Sequence, residues 1–157
     1  MFLKLLELII IGLTIWLIIF YLHELCHKLS CERQGGKGKI ELWFYKLKGI
    51  PIPSMRCWCE AGSGQSINWN EFYYSGGIGA GIISTIVSLP FYWIYKPLFI
   101  GLFILGVVNT FYGLYEGLFM QKLKRNIFMN YHYLVEAFGV LVGVLLLRSE
   151  IWSWINV

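Results

Sequence analysis

The sequence predicts an all-α polytopic membrane protein of about four transmembrane helices, with a short β-like or re-entrant segment between the first and second. Three observations predict it. The chain of 157 residues is 57% hydrophobic and only 14% charged, whereas soluble domains carry roughly 25% charged residues. Its apolar residues are gathered into runs long enough to cross a hydrocarbon core of ~30 Å. Only one sizeable polar segment, from Ser30 to Glu71, separates such runs. The formal charge of +4 is too small to indicate a nucleic-acid partner. The lipid bilayer is the partner that the composition implies.

The first helix is expected over 3–29, where LELIIIGLTIWLIIFYL runs without a break into HELCHKL. This apolar stretch exceeds the ~7–15 residues of a signal-peptide core, and no small-residue cleavage site follows, so it is expected to stay as a span. The second, third and fourth helices are expected over 72–95, 97–120 and 131–147, giving a single membrane domain over 1–157. Gly and Pro within such helices are tolerated where neighbours satisfy the freed backbone groups. In the polar segment 30–71, CERQGGKGK is turn-forming and basic. KIELWFYKLKGIPIP is aromatic and β-branched, punctuated by Gly49, Pro51 and Pro53, which favours a strand or hairpin over a helix.

Basic residues predict the orientation. The loop after the first helix holds Lys28, Arg33, Lys37, Lys39, Lys46, Lys48 and Arg56. The turn after the second holds only Lys96, and the loop after the third holds Lys122, Lys124 and Arg125. Loops rich in Lys and Arg stay inside. A multi-pass protein of the cell membrane is expected, with both termini outside and the first and third loops in the cytoplasm. Cys26, Cys31, Cys57 and Cys59 lie within or just beyond the first span, on that reducing side, where disulfides are not expected. A thiolate site of Cys31, Cys57 and Cys59 is the other reading, although C-x-C lacks the usual C-x₂₋₄-C zinc spacing. Cys26 is expected to pack.

His23, Glu24 and His27 spell H-E-x-x-H at the end of the first span. On a helix, positions i and i+4 share a face, so the two imidazoles can bind one Zn²⁺ at ~2.0–2.1 Å. Glu24 is turned by roughly 100°, beside the metal and placed to take a proton from water as the catalytic base. The alternative is a pair of hydrogen-bonded core histidines, but polar groups within membrane helices are costly and usually functional.

A catalytic zinc takes a third protein ligand and keeps one position open. The chain has no Asp, and His132 is the one other His, so a Glu is expected. The choices are Glu7, Glu32, Glu41, Glu60, Glu71, Glu116, Glu136 and Glu150, and depth selects among them. The first and third helices both travel inward and reach His23 and Glu116 after similar lengths, at ~1.5 Å per residue. Glu116 is the expected ligand. Glu136 is the runner-up, and Glu71, at the start of the second helix, comes third. Asn109, Gly113 and Glu116 share one face. Asn109 is suited either to bind a substrate backbone or to bridge two helices, and Gly113 admits a close neighbour. The small residues of YYSGGIGAGIIS are expected to bring the second helix against the first, near the metal.

With these residues the chain resembles the site-2 protease family of intramembrane zinc metalloproteases. HELCH at 23–27 matches that family's first element, and SGGIGAG at 75–81 is similar to its Gly-rich second helix. NTFYGLYEG at 109–117 is similar to its N-x-x-P…D-G segment, with Glu116 in place of Asp, no prolines, and a spacing one residue shorter. The resemblance implies cleavage of a transmembrane protein or peptide near the cytoplasmic face. It further implies that the strand-like segment presents the substrate, with KIELWFYK as the edge that takes an added strand. CAAX-prenyl-protease-like membrane zincins, which use Glu as third ligand, are a related alternative. A non-catalytic metal-binding regulator or degenerate protease homologue is the rival from another class.

Overall fold

The computed structural model describes residues 2–47, 50–119 and 125–156. In chain order these form α1 (Phe2–Arg33), β1 (Lys37–Leu47), β2 (Ile50–Glu60), α2 (Trp69–Ser88), α3 (Phe91–Ile94), α4 (Lys96–Phe119), α5 (Arg125–Leu146) and α6 (Arg148–Ile155). Two helices are long and apolar enough to cross a membrane, α1 over Leu3–Arg33 and α4 over Lys96–Phe119. The apolar part of α5, Leu134–Leu146, is shorter.

α1 has no proline to break it and runs straight through the motif. It ends where Gly35 takes a positive φ of 79°, a conformation that costs other residues a Cβ clash. That turn lets the Gly36 N–H donate to the Cys31 carbonyl at 3.0 Å, satisfying one of the helix's last acceptors. The chain then returns as a hairpin in the register Lys37↔Glu60 to Leu47↔Ile50. The strand-like expectation is thus realised as two regular eleven-residue strands. Pro51 and Pro53 stand at the same strand parity as Cys57, whose N–H points away from β1, so their missing donors cost the ladder nothing.

The second helix was expected to reach residue 95, but α2 ends at Ser88. Leu89 and Pro90 form a turn, and Pro90 caps the short α3, because proline lacks the N–H that would continue the ladder. α6 was not foreseen in the sequence. The third basic loop, with Lys122 and Lys124, lies outside the described residues, as do Lys48 and Gly49.

Packing follows the small residues. A Cβ on Gly77 would fall 2.3 Å from Gly113 Cα, and one on Gly81 would meet the Gly106 carbonyl at 2.7 Å. The expected close approach at Gly113 is therefore made by α2. The Gly stripe packs α2 on α4 as well as on α1. Polar contacts gather at two ends of the bundle. At one, Lys4 Nζ donates to the Trp154 carbonyl, Glu7 pairs with Tyr95, and Lys96 pairs with Glu150 at 2.7 Å. At the other, Arg33 pairs with Glu71 beside the hairpin. α1 and α4 thus start at one level and run in parallel, which is the geometry that the depth comparison of His23 and Glu116 requires.

The expectation of free thiols is corrected. Cys31, fully buried in the last turn of α1, is disulfide-bonded to Cys59 of β2, with Cα atoms 5.8 Å apart. The reason is the hairpin's return. Gly38, the register partner of Cys59, sits so tightly on α1 that a Cβ there would fall 2.7 Å from Lys28 Cγ. That approach brings Cys59 back over the helix it left. A three-thiolate metal site is thereby removed, since two of its members are spent. Cys26 and Cys57 are free. A disulfide belongs by rule to an oxidising compartment, so the bridge and the Lys/Arg pattern point to opposite sides for this loop.

Candidate metal centre

α1 carries His23 and His27 one turn apart, and α4 brings Glu116 to meet them. His23 and His27 are 4% and 3% exposed. The three facing atoms form a small triangle: His27 Nε2 to His23 Nε2 is 3.1 Å, His27 Nε2 to Glu116 Oε2 is 3.2 Å, and His23 Nε2 to Glu116 Oε2 is 3.3 Å. A tetrahedral ion with bonds of ~2.0–2.1 Å holds its donors roughly 3.3–3.4 Å apart. The triangle has the size of one face of such a site.

Proton assignment shows what these atoms can do. His27 Nδ1 lies 2.6 Å from the Phe72 carbonyl, which only accepts, so Nδ1 carries the proton. Asn109 Nδ2 donates to the Leu105 carbonyl at 3.0 Å, which leaves its Oδ1 facing His23 Nδ1 at 3.3 Å. That Nδ1 is a donor as well. With Nδ1 of each ring held as the donor, Nε2 of each ring is the atom turned to the Glu116 carboxylate. With both Nε2 atoms unprotonated, three electron-pair donors at this separation repel one another, and a cation among them relieves that repulsion. A divalent metal meets that need without protonating either ring, and the Nδ1 bonds fix both tautomers for it, as outer partners of ligating histidines do. The residues present fit zinc.

Two aromatic rings finish the walls. Phe72 stacks on His27 at 4.7 Å between centroids, and Tyr112 meets His23 edge-on at 5.3 Å. α2 makes room from its own side, since a Cβ on Gly76 would fall 2.2 Å from His27 Nε2. The Gly stripe is thus part of the site as well as a packing device.

Glu24 is buried at 8% exposure and, among the described residues, stands outside the donor group of His23, His27 and Glu116. Its Oε2 accepts the Cys57 N–H of β2 at 2.7 Å. Glu136 of α5 is close enough to act on His23 electrostatically but is not in that group. Glu71 is turned to Arg33 and Ser30. Asn109 reaches the site, with its amide engaged by His23 and Leu105.

Sequence reasoning missed the Phe72 carbonyl, the Cys57 N–H, Gly76 and Tyr112. The first two are backbone groups that every residue owns. Gly76 was visible only as one of a stripe, and Tyr112 sits one turn before Glu116, where its spacing was available to read. Comparison with known protein families, curated proteins and solved structures finds no match, so the functional reading rests on the chemistry of these residues.

Proposed function

We propose that the chain is an intramembrane zinc metallopeptidase of the site-2 protease type, acting on a transmembrane protein or peptide. The observation that carries this reading is the convergence of His23 Nε2, His27 Nε2 and Glu116 Oε2, with Glu24 beside the group rather than in it. Bound zinc would lower the pKa of a water molecule and polarise the scissile carbonyl. The chain's own residues supply the rest. His23, His27 and Glu116 hold the ion, and Asn109 and the Phe72 carbonyl hold the imidazoles. Glu24 takes the proton of the attacking water and returns it to the leaving amine.

The substrate must unwind locally, because a helix keeps its carbonyls in internal hydrogen bonds. The hairpin supports a route for that. The β2 edge adjoins Glu24, whereas the expected presenting segment, KIELWFYK, is β1. Pro51 and Pro53 remove outward donors near the turn, so an added strand finds them only at Met55 and Cys59, on either side of the Cys57 N–H that Glu24 accepts.

Co-expression with a single-span reporter tests the reading. Glu24→Gln should lower cleavage at least hundredfold, the scale of a lost general base, while the metal stays bound. Undiminished cleavage by Glu24→Gln would sink it.

A further inference from the structure

The hydrogen bond that holds Glu24 comes from a strand, and that strand is fastened to α1 by one covalent link two residues further on. Cys57 and Cys59 share a face of β2, and Cys59 is bridged to Cys31. Glu24 and Cys31 lie about two turns apart on the same helix. The bridge therefore closes a short circuit: α1 at Cys31, across the disulfide to Cys59, back along β2 to Cys57, and through the Cys57 N–H to Glu24. On the other side, β1 rests on Lys28 through Gly38. Among the described residues no other disulfide ties β2 to the helix bundle.

We propose that the Cys31–Cys59 disulfide and the Cys57 N–H form a positioning device for Glu24, so that the catalytic base is aligned only while the bridge is closed. The proposal rests on the reading of Glu24 as the base. A free carboxylate on a helix surface samples several rotamers, and a charge-assisted bond to a fixed backbone donor selects one. The donor is fixed because its strand cannot slide or lift from α1 while the bridge stands.

Opening the bridge takes a dithiol. It donates two electrons and two protons, the S–S bond breaks, Cys31 and Cys59 become thiols, and the reductant leaves as its own cyclic disulfide. The remaining thiol on the strand does not scramble this link. Burial, and secondarily the Glu24 carboxylate, push the Cys57 thiol up to about 12. It is therefore protonated at neutral pH and does not attack its neighbour. Cys31 is fully buried, so an external thiol must enter at Cys59. The device is opened by a dithiol that reaches Cys59.

The test uses the full chain in lipid nanodiscs, labelled with nitrogen-15 cysteine, oxidised and then treated with dithiothreitol. It reads amide exchange at Cys57, zinc content and reporter cleavage. With the bridge closed, the Cys57 amide should exchange slowly for an edge position, and Glu24→Ala should speed it at least tenfold. Reduction should produce the same speeding, leave zinc bound, and lower kcat roughly ten- to hundredfold, as expected for losing a hydrogen bond to a charged group. KM should change little, and reoxidation should restore kcat. The Cys31→Ala/Cys59→Ala variant should match the reduced protein and respond no further to the dithiol.

Unchanged Cys57 exchange on reduction overturns the proposal, as does faster exchange with kcat unaltered. Loss of zinc on reduction also overturns it, because the bridge would then be a scaffold for the whole site. If neither redox state cleaves the reporter, the peptidase reading falls by itself, and the exchange measurement still decides whether the bridge holds the Cys57 N–H on Glu24.

Discussion

The two halves of α1 obey opposite rules. In the first half, apolar side chains face outward: Leu13 is 63% exposed and Leu17 54%. In the second half, His23, Glu24, His27 and Ser30 are buried. One unbroken helix therefore shows apolar groups to its surroundings and hides polar ones inside. The first pattern is what a bilayer selects, since lipid solvates Leu and Ile without cost. The second is tolerated only because each hidden group meets a partner. Asn109 comes from α4, the Phe72 carbonyl from α2 and the Cys57 N–H from β2. H-E-x-x-H is thus only one quarter of the site, and the elements packed around the second half of α1 make it usable.

The sharpest way to break that difference is to fill the second half. Gly76→Ala places a methyl 2.2 Å from His27 Nε2, where a backbone-fixed atom cannot yield. We expect loss of bound metal and of cleavage together, read by metal analysis and the reporter, with the helical circular dichroism retained. A smaller effect is expected at the partners. Asn109→Leu keeps the shape but leaves the His23 Nδ1–H unpaired, which should weaken zinc roughly 10–100-fold in chelator competition.

The first half should respond by packing alone. Ile15, 5% exposed and in contact with Gly101 of α4, should lose about 2–4 kcal/mol on Ile15→Ala. Leu13→Ala, on the exposed face, should change stability by less than about 0.5 kcal/mol. Unfolding in mixed micelles separates the two, and equal costs would mean that the outer face of α1 is covered by protein.

Much of this was legible in the sequence. The helix through HELCH followed from an apolar run without proline. Glu116 was reachable because the absence of Asp left few carboxylates, and parallel helices put only some of them at the right depth. What was not legible depended on contacts between distant backbone segments. The end of α2 at Ser88 turned on whether Pro90 sits inside a helix or starts a new one, and the pattern of apolar residues around it fits both. The Cys31–Cys59 bridge depends on the hairpin's return to α1, which residue spacing does not encode.

The central claim is that His23, His27 and Glu116 together hold one metal ion. Metal analysis of the purified chain, in wild type, Glu116→Ala and Glu136→Ala, tests it most directly. We expect about one zinc per chain in the wild type, its loss in Glu116→Ala and its retention in Glu136→Ala. Zinc that survives Glu116→Ala but disappears with Glu136→Ala would contradict the account, and a wild type that binds no metal would end it.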